Sequence, residues 1–180
     1  MAWIFGYGSL IWRPNFEYKE KMVGHVKGFC RRFWQESVIN RGTKEKPGRV
    51  AALMESDSES KVWGVALYVS DTDKEEVLNK LITRELCHPT KTVFFPKDQS
   101  KETVEVEIFN CGEGIAQFTG REDIKTTAQF IAQGVGTTGM KNDEYVTKVL
   151  DFTHNVAGVE DTYLIELDKL VKEYQKNMKS

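Results

Sequence analysis

The sequence predicts an α+β protein built around a mostly antiparallel, barrel-like β-sheet. Segments with strand character fill the first half of the chain, helical patterns fill most of the last third, and one helical pattern interrupts the strands. A doubly wound α/β fold would need strands and helices in regular alternation. Because the chain has 180 residues and no low-complexity linker, we expect a single domain over residues 1–180.

About six segments have the residues of β-strands, since β-branched and aromatic side chains cluster between turn signals such as Lys46-Pro47-Gly48. The second segment is the longest and contains Gly24 and Gly28. The last two flank a Lys-Asp-Gln-Ser turn and predict a hairpin. The six segments are residues 2–5, 23–34, 49–54, 62–69, 90–95 and 104–109.

The internal helix is predicted to begin after Asp73 and to end before Pro89. Its core positions are Leu78, Leu81 and Ile82, and Glu85 continues the same i, i+3, i+4, i+7 stripe. A carboxylate facing the core is harder to ionise, and the negative end of the helix dipole adds to this effect, whereas a nearby arginine opposes both. Glu85 is therefore a candidate proton donor and acceptor near neutral pH. The alternative is a solvated or structurally paired glutamate past the helix end.

Three further helices are predicted in the last third of the chain. Thr119 and Glu122 have the spacing of a capping box, Asn142 is a candidate cap for the next helix, and Asp161 for the last. Apolar residues follow each cap at helical spacing. They are Ile124, Ala128 and Ile131, then Val146, Val149 and Leu150, then Leu164, Leu167, Leu170 and Val171.

Charge and composition exclude several classes of partner. The 25 basic and 27 acidic residues are dispersed and give a net charge of −2, so we expect neither nucleic-acid nor anionic-membrane binding, whereas a small neutral or anionic ligand fits. Arg31-Arg32 is expected to be an edge or substrate-rim feature. The N-terminal apolar run breaks at Gly6 and predicts neither a signal peptide nor a membrane span.

Cysteine and histidine usage argues against disulfides and metals. Cys30, Cys87 and Cys111 are odd in number and lack C-x-x-C spacing, which indicates no disulfide framework and no cysteine-based zinc site. The three histidines also lack metal-ligand spacing. Cys87-His88 is expected to lie in an ordinary loop. We therefore expect a cytoplasmic protein without a metal.

The segment Gly6-Tyr7-Gly8-Ser9 follows the first strand and has three interpretations. A dinucleotide-binding fingerprint is incomplete, because position 11 is isoleucine and no crossover helix follows. A tight turn without function is the second. The third is an anion nest, in which successive backbone N–H groups and the Ser9 hydroxyl bind a carboxylate.

Several blocks of sequence together resemble the ChaC family of γ-glutamylcyclotransferases, most closely its glutathione-specific branch. The blocks occur in order over nearly the whole chain, which makes the likeness far more specific than a single Y-G-S-L. They are F-G-Y-G-S-L-I-W (5–12), R-R-F-W-Q (31–35), R-G-T-x-x-K-P-G-R-V (41–50), V-W-G-V-A (62–66), R-E (84–85), F-F-P-K-D (94–98) and N-x-E-Y (142–145).

This resemblance implies a small mixed β-barrel with surrounding helices, the γ-glutamylcyclotransferase-like fold. It implies an enzyme that converts glutathione into 5-oxoproline and cysteinylglycine without a metal or organic cofactor. The substrate α-carboxylate would bind the loop at Tyr7, Gly8, Ser9 and Leu10, and Glu85 would be the acid/base residue. By the same analogy Tyr145 would lie near the pocket.

Two segments depart from the family pattern. The family has R-E-K-G-G-Y where this chain reads R-E-L-C-H-P, and D-H-R-G where it reads Ile39-Asn40-Arg41-Gly42. Both changes bear on the preference for the Cys-Gly half of glutathione. Two alternatives therefore stay open: cyclisation of other γ-glutamyl compounds, and binding of a γ-glutamyl compound without turnover.

Overall fold

A computed structural model describes residues 2–110 and 112–180, so Met1 and Cys111, one of the three cysteines considered above, lie outside the described residues. Over those ranges the chain forms seven strands, four α-helices and three short helical turns. The strands are β1 (Ala2–Gly6), β2 (Glu20–Lys27), β3 (Phe29–Ser37), β4 (Gly48–Glu55), β5 (Lys61–Val69), β6 (Thr90–Pro96) and β7 (Val104–Ile108). The helices are α1 (Lys74–Glu85), α2 (Ile124–Gln133), α3 (Asn142–Asp151) and α4 (Thr162–Met178). The turns are 3₁₀ at Ser9–Ile11 and Gly112–Gly114, and π-helical at Phe152–Ala157.

Five strands close into a barrel in the order β1-β5-β2-β6-β7. Four neighbouring pairs are antiparallel, as in β1 and β5, where Ala2 lies opposite Val69 and Gly6 opposite Val65. The barrel closes through β1 and β7, which are parallel with Ile4 opposite Glu107. The predicted α+β class with a mixed, mostly antiparallel barrel is confirmed.

β3 and β4 form a separate two-stranded sheet. The single strand predicted over residues 23–34 is wrong, because it is two strands separated by Gly28. Gly28 has a φ of +86°, a backbone conformation that L side chains rarely adopt, and this turn ends β2. The count of about six strands consequently becomes seven over the described residues.

The chain divides into two compact units, residues 1–31 with 53–115 and residues 32–52 with 116–180. The expectation of a single domain stays a prediction. In the first unit one apolar cluster centres on Phe5, Val26 and Phe94. A second cluster joins Ile4 of β1 to Val77 and Leu81 of α1.

The second unit contains the C-terminal helices, and two of their predicted caps are wrong. The helix α2 is capped by Asp123, whose side chain accepts a hydrogen bond from the Lys125 amide, and not by the Thr119 box. Glu122 instead binds Arg49 through both carboxylate oxygens, at 3.1 and 3.0 Å. The predicted cap of α4 is confirmed, since the Leu164 amide donates to the Asp161 carboxylate at 3.1 Å.

Asn142 is not a cap either. It is fully buried in the first turn of α3, where its side-chain amide accepts a hydrogen bond from the Arg49 N–H at 2.7 Å and donates one to the Arg49 carbonyl at 2.8 Å. A buried amide that satisfies a backbone donor and acceptor in a neighbouring strand fixes the position of the helix on that strand. Among the described residues, no helix is both long enough and apolar enough to cross a membrane.

Candidate functional site

The glycine loop, defined here as residues 6–10, leaves the end of β1 and enters the 3₁₀ turn. A Cβ atom at Gly6 would lie 2.9 Å from the Leu10 Cβ and 3.1 Å from the Val65 Cγ2. Glycine is therefore required at position 6 because the loop folds back against its own barrel. The loop leads into a three-residue turn and not a crossover helix, so it lacks the context of a dinucleotide-binding fingerprint.

Partly buried polar contacts hold the loop from two sides. The Tyr7 hydroxyl donates to the Phe109 carbonyl at 2.8 Å. Arg31 donates from Nε to the Tyr7 carbonyl at 3.0 Å and from Nη2 to the Trp63 carbonyl. Leu10 is buried in the same apolar cluster as Leu81 of α1. The loop is thus fixed by its own barrel and by the packing of α1.

The expected edge or rim position of Arg31 is wrong, because only 3% of the residue is exposed. Side chains alternate across a strand, so residues 31 and 33 of β3 point to the same side. Phe33 is fully buried, and this alternation was the signal that could have placed Arg31 inside the protein. Arg31 is a buried support of the glycine loop, and the sequence reasoning did not place it there.

The loop presents consecutive backbone donors. Gly8 and Leu10 are buried and Ser9 is partly exposed. No residue in the described part of the chain accepts a hydrogen bond from the amides of Gly8, Ser9 or Leu10. Successive N–H groups beside a hydroxyl form a concavity that suits an anion such as a carboxylate.

Glu85 is the last residue of α1. Val77 and Leu81 are the fully buried positions of the helix, and Leu78 and Ile82 pack at the edge of the same cluster, so the predicted apolar stripe is confirmed in part. The Glu85 side chain is 26% exposed, and burial raises its pKa above the ordinary value. The Arg84 guanidinium acts in the opposite direction and lowers that pKa. Glu85 is therefore not the solvated glutamate of the alternative interpretation, whereas its pairing with Arg84 agrees with the structurally paired glutamate of that alternative.

Arg84 connects the glutamate to the loop. Its Nη2 donates to the Ser9 Oγ at 2.8 Å, and its Nε lies 3.3 Å from the Glu85 Oε1. The predicted carboxylate-binding loop and the predicted acid/base residue thus lie on the two sides of one guanidinium. Such an arrangement can bind a carboxylate at the loop and move a proton beside it.

Tyr145 lies in the second unit, on α3, and is 5% exposed. Its ring meets the Phe33 ring edge to face at a centroid distance of 5.6 Å, and the Arg41 guanidinium lies 5.5 Å from its centroid. These contacts give Tyr145 a packing role within that unit. Its placement near the pocket stays a prediction.

The segment after Glu85 leaves the helix through Leu86, a non-glycine residue with a φ of +60° and 62% exposure.

Cys87 is disulfide-bonded whereas Cys30 is a free thiol, so the expectation of no disulfide is wrong for Cys87. Among the described residues, no group of three or more His, Cys, Asp or Glu side chains could hold a metal ion.

The fold and the site define an α+β barrel protein with a glycine loop linked by an arginine to a half-buried glutamate. The family model described as ChaC-like protein matches residues 2–174, and the chain belongs to this family.

Relatives with assigned functions cover most of the chain. The glutathione-specific gamma-glutamylcyclotransferase 1 of Danio rerio is 36% identical over 171 residues, which are 92% of this chain and 86% of the relative. The protein of the same name from Homo sapiens is 37% identical over 154 residues, which are 83% of this chain and 68% of the relative. The crystal structure of a glutathione-specific gamma-glutamyl cyclotransferase from yeast superposes with a TM-score of 0.85 at 25% identity, covering 98% of this chain and 97% of the yeast chain.

Proposed function

We propose that this protein is a glutathione-specific γ-glutamylcyclotransferase of the cytosol, a lyase that converts glutathione into 5-oxoproline and cysteinylglycine. The names of the Danio rerio and Homo sapiens relatives support the substrate. The observation that carries the proposal is the Arg84 link, 2.8 Å to Ser9 and 3.3 Å to Glu85, because it brings a carboxylate-binding loop and a proton-transfer group to one place.

The γ-glutamyl α-carboxylate binds the glycine loop in this proposal. It accepts hydrogen bonds from the amides of Gly8, Ser9 and Leu10, and Tyr7 supports the loop through its hydrogen bond to the Phe109 carbonyl. Anchoring the carboxylate next to Glu85 brings the α-amino group close to the glutamate. The γ-glutamyl chain must then curl so that its amine faces its own γ-carbonyl.

The chemistry needs only proton transfers. Glu85 takes a proton from the α-ammonium, the freed amine attacks the γ-carbonyl carbon, and a new C–N bond closes the five-membered ring. The ring nitrogen then releases its second proton to solvent and becomes the lactam N–H. The old γ-amide C–N bond breaks, and Glu85 returns the proton to the departing cysteinyl nitrogen. No water is consumed and no metal or organic cofactor takes part. Holding both groups in one molecule gives effective molarities on the order of 10⁵ M or more.

The environment of Glu85 suits this double role. Burial raises the pKa of Glu85 above its ordinary value, and the Arg84 guanidinium offsets part of that rise. General acid/base catalysis is most effective when the pKa of the group is near the working pH.

A second candidate is the same ring closure on other γ-glutamyl compounds. The observation that favours it is the segment after Glu85, where the exposed Leu86 begins a stretch without the family's glycine pair. This change alters the surface next to the acid/base residue, where the leaving group departs. It bears on the choice of leaving group and leaves the γ-glutamyl end unchanged.

The test is to incubate the purified protein with reduced glutathione and, in parallel, with γ-glutamyl-alanine, and to quantify 5-oxoproline and Cys-Gly by mass spectrometry. We expect 5-oxoproline from glutathione and a loss of about 10²-fold or more in kcat for Glu85→Gln, the range for removal of a general acid/base. Glu76→Gln is the matched control, because Glu76 lies on the same helix with its side chain 70% exposed.

Each outcome separates the candidates. Turnover of γ-glutamyl-alanine alone would select the second candidate. Binding of glutathione by calorimetry without product from either substrate would identify a γ-glutamyl-binding protein that lacks turnover. Full activity of Glu85→Gln would remove Glu85 from the mechanism.

A further inference from the structure

We propose that Arg84 is a positioning residue whose guanidinium joins the Ser9 hydroxyl and the Glu85 carboxylate into one hydrogen-bonded unit, so that both act on the same substrate molecule. This inference rests on the proposed function and assigns a role to a residue that lies between its two parts. Arg84 is 31% exposed on its side chain, so its contacts belong to an accessible site and not to the protein core.

The two contacts of Arg84 depend on the planar geometry of its guanidinium group. Nη2 reaches the Ser9 Oγ at 2.8 Å while Nε faces the Glu85 Oε1 at 3.3 Å. These two nitrogens belong to one rigid plane, so fixing one contact also orients the other. A lysine ammonium is a single point charge on a flexible stem and holds two such partners less specifically. The arrangement therefore requires arginine and not merely a positive charge.

Substrate binding makes the charge of Arg84 necessary. In the proposed complex the α-carboxylate occupies the loop beside Ser9, which places a second negative charge close to Glu85. Two neighbouring carboxylates raise each other's pKa, and a protonated Glu85 cannot accept the ammonium proton. A guanidinium between them offsets this repulsion and keeps Glu85 available as a base.

The helix end at which Arg84 and Glu85 lie gives a second reason for a positive charge beside Glu85. Arg84 and Glu85 lie in the last turn of α1, where the helix dipole is negative and disfavours a carboxylate. Burial also raises the Glu85 pKa, and the charge of the Arg84 guanidinium acts to lower it. Two influences therefore favour the protonated form of Glu85, and Arg84 acts against both.

The test uses Arg84→Gln, Arg84→Lys and Ser9→Ala, with Lys80→Gln as the matched control on the same helix, since the Lys80 side chain is 63% exposed and pairs with Glu76. The first readout is the pH dependence of kcat/KM for glutathione. The second readout is an NMR titration of the ¹³C-labelled Glu85 carboxyl group, and this measurement needs no turnover. The Glu85 signal is assigned by its absence from the spectrum of Glu85→Gln. Circular dichroism checks the fold of each variant.

We expect Arg84→Gln to move the acid limb of the pH profile and the Glu85 titration upward by about one pH unit or more, the effect of losing a neighbouring opposite charge. Arg84→Lys should return the acid limb towards the wild-type position but leave KM raised, because it restores the charge and not the contact with Ser9. Ser9→Ala should raise KM and leave the acid limb in place.

A purely structural role for Arg84 would move stability and neither pH readout. An unchanged Glu85 titration in Arg84→Gln would overturn the proposal, as would full recovery of both KM and the acid limb in Arg84→Lys. If the wild type forms no 5-oxoproline, the proposed function fails, and the NMR titration alone then decides for or against the contact between Arg84 and Glu85.

Discussion

Replacing Arg31 by lysine tests how strongly the glycine loop depends on its buried support. The Arg31 side chain donates from Nε to the Tyr7 carbonyl at 3.0 Å and from Nη2 to the Trp63 carbonyl. A lysine ammonium can replace one of these bonds but cannot reach both carbonyls in the fork geometry of arginine. One charge-assisted hydrogen bond is lost, at about 1.5–3 kcal/mol.

This loss converts into a measurable change in thermal stability. A domain of this size loses roughly 2–4 °C in Tm per kcal/mol, so Arg31→Lys should lower Tm by about 3–12 °C. Because the Tyr7 carbonyl belongs to the glycine loop, we also expect KM for glutathione to rise. Differential scanning calorimetry and initial-rate kinetics measure the two effects.

Arg32→Lys is the matched control, because the guanidinium of the neighbouring arginine lies over the Tyr163 ring, 4.4 Å from its centroid. A cation–π contact that remains available to lysine should cost about 1 kcal/mol or less. Equal Tm and KM changes in the two variants would refute the argument that the two carbonyl contacts of Arg31 fix the loop.

Two further predictions concern stability. Burial, followed by the charges of Lys61 and Lys27, lowers the pKa of His25. The contribution of His25 to the free energy of unfolding is therefore fully present above the ordinary pKa of 6.5. It is lost as the pH falls from 6.5 through the lowered pKa of the folded state. Urea denaturation between pH 7.5 and 5 should show this loss for the wild type and a weaker one for His25→Phe, and equal pH slopes would contradict it. Asn142→Ala leaves the N–H and C=O of Arg49 without their buried partner and should lower the free energy of unfolding by about 2–4 kcal/mol in urea denaturation. A change below about 1 kcal/mol would show that another group replaces the amide.

Much of the fold could be predicted because its signals are local. Alternating and β-branched residues identified the barrel strands, and the order of strands before helices gave the α+β class. Asp161 acted as the cap that its position predicts. Closure through the parallel pair of β1 and β7 depends on contacts between residues about a hundred positions apart, and no local pattern contains that information.

The wrong predictions have tertiary causes. Thr119 and Asn142 have the right chemistry for helix caps, but Asn142 is used by the Arg49 backbone and Glu122 by the Arg49 side chain. Local propensity is a weak guide when a buried group elsewhere needs the same hydrogen-bonding atoms. A buried arginine in a strand creates such a need, and its partners cannot be identified before the fold is known.

The residues of the candidate site could be proposed from the sequence, but the contacts between them could be proposed only in part. Helical spacing placed Glu85 towards the core, and glycines marked the loop. The resemblance to the ChaC family supplied the link between them. The contact from Arg84 to Ser9 spans 75 positions in sequence and required the structure.

The position of Glu85 relative to the glycine loop is held by residues of α1 that precede it in the chain. Leu81 packs in the same apolar cluster as Leu10 of the glycine loop, and Arg84 binds Ser9 of that loop. Both contacts come from residues before Glu85 in the chain, whereas Cys87, which follows it, packs at the edge of the same apolar cluster. Under the proposed function, we therefore expect a substitution at the exposed Leu86 to act on the choice of leaving group and to leave the contacts of Leu81 and Arg84 with the loop in place.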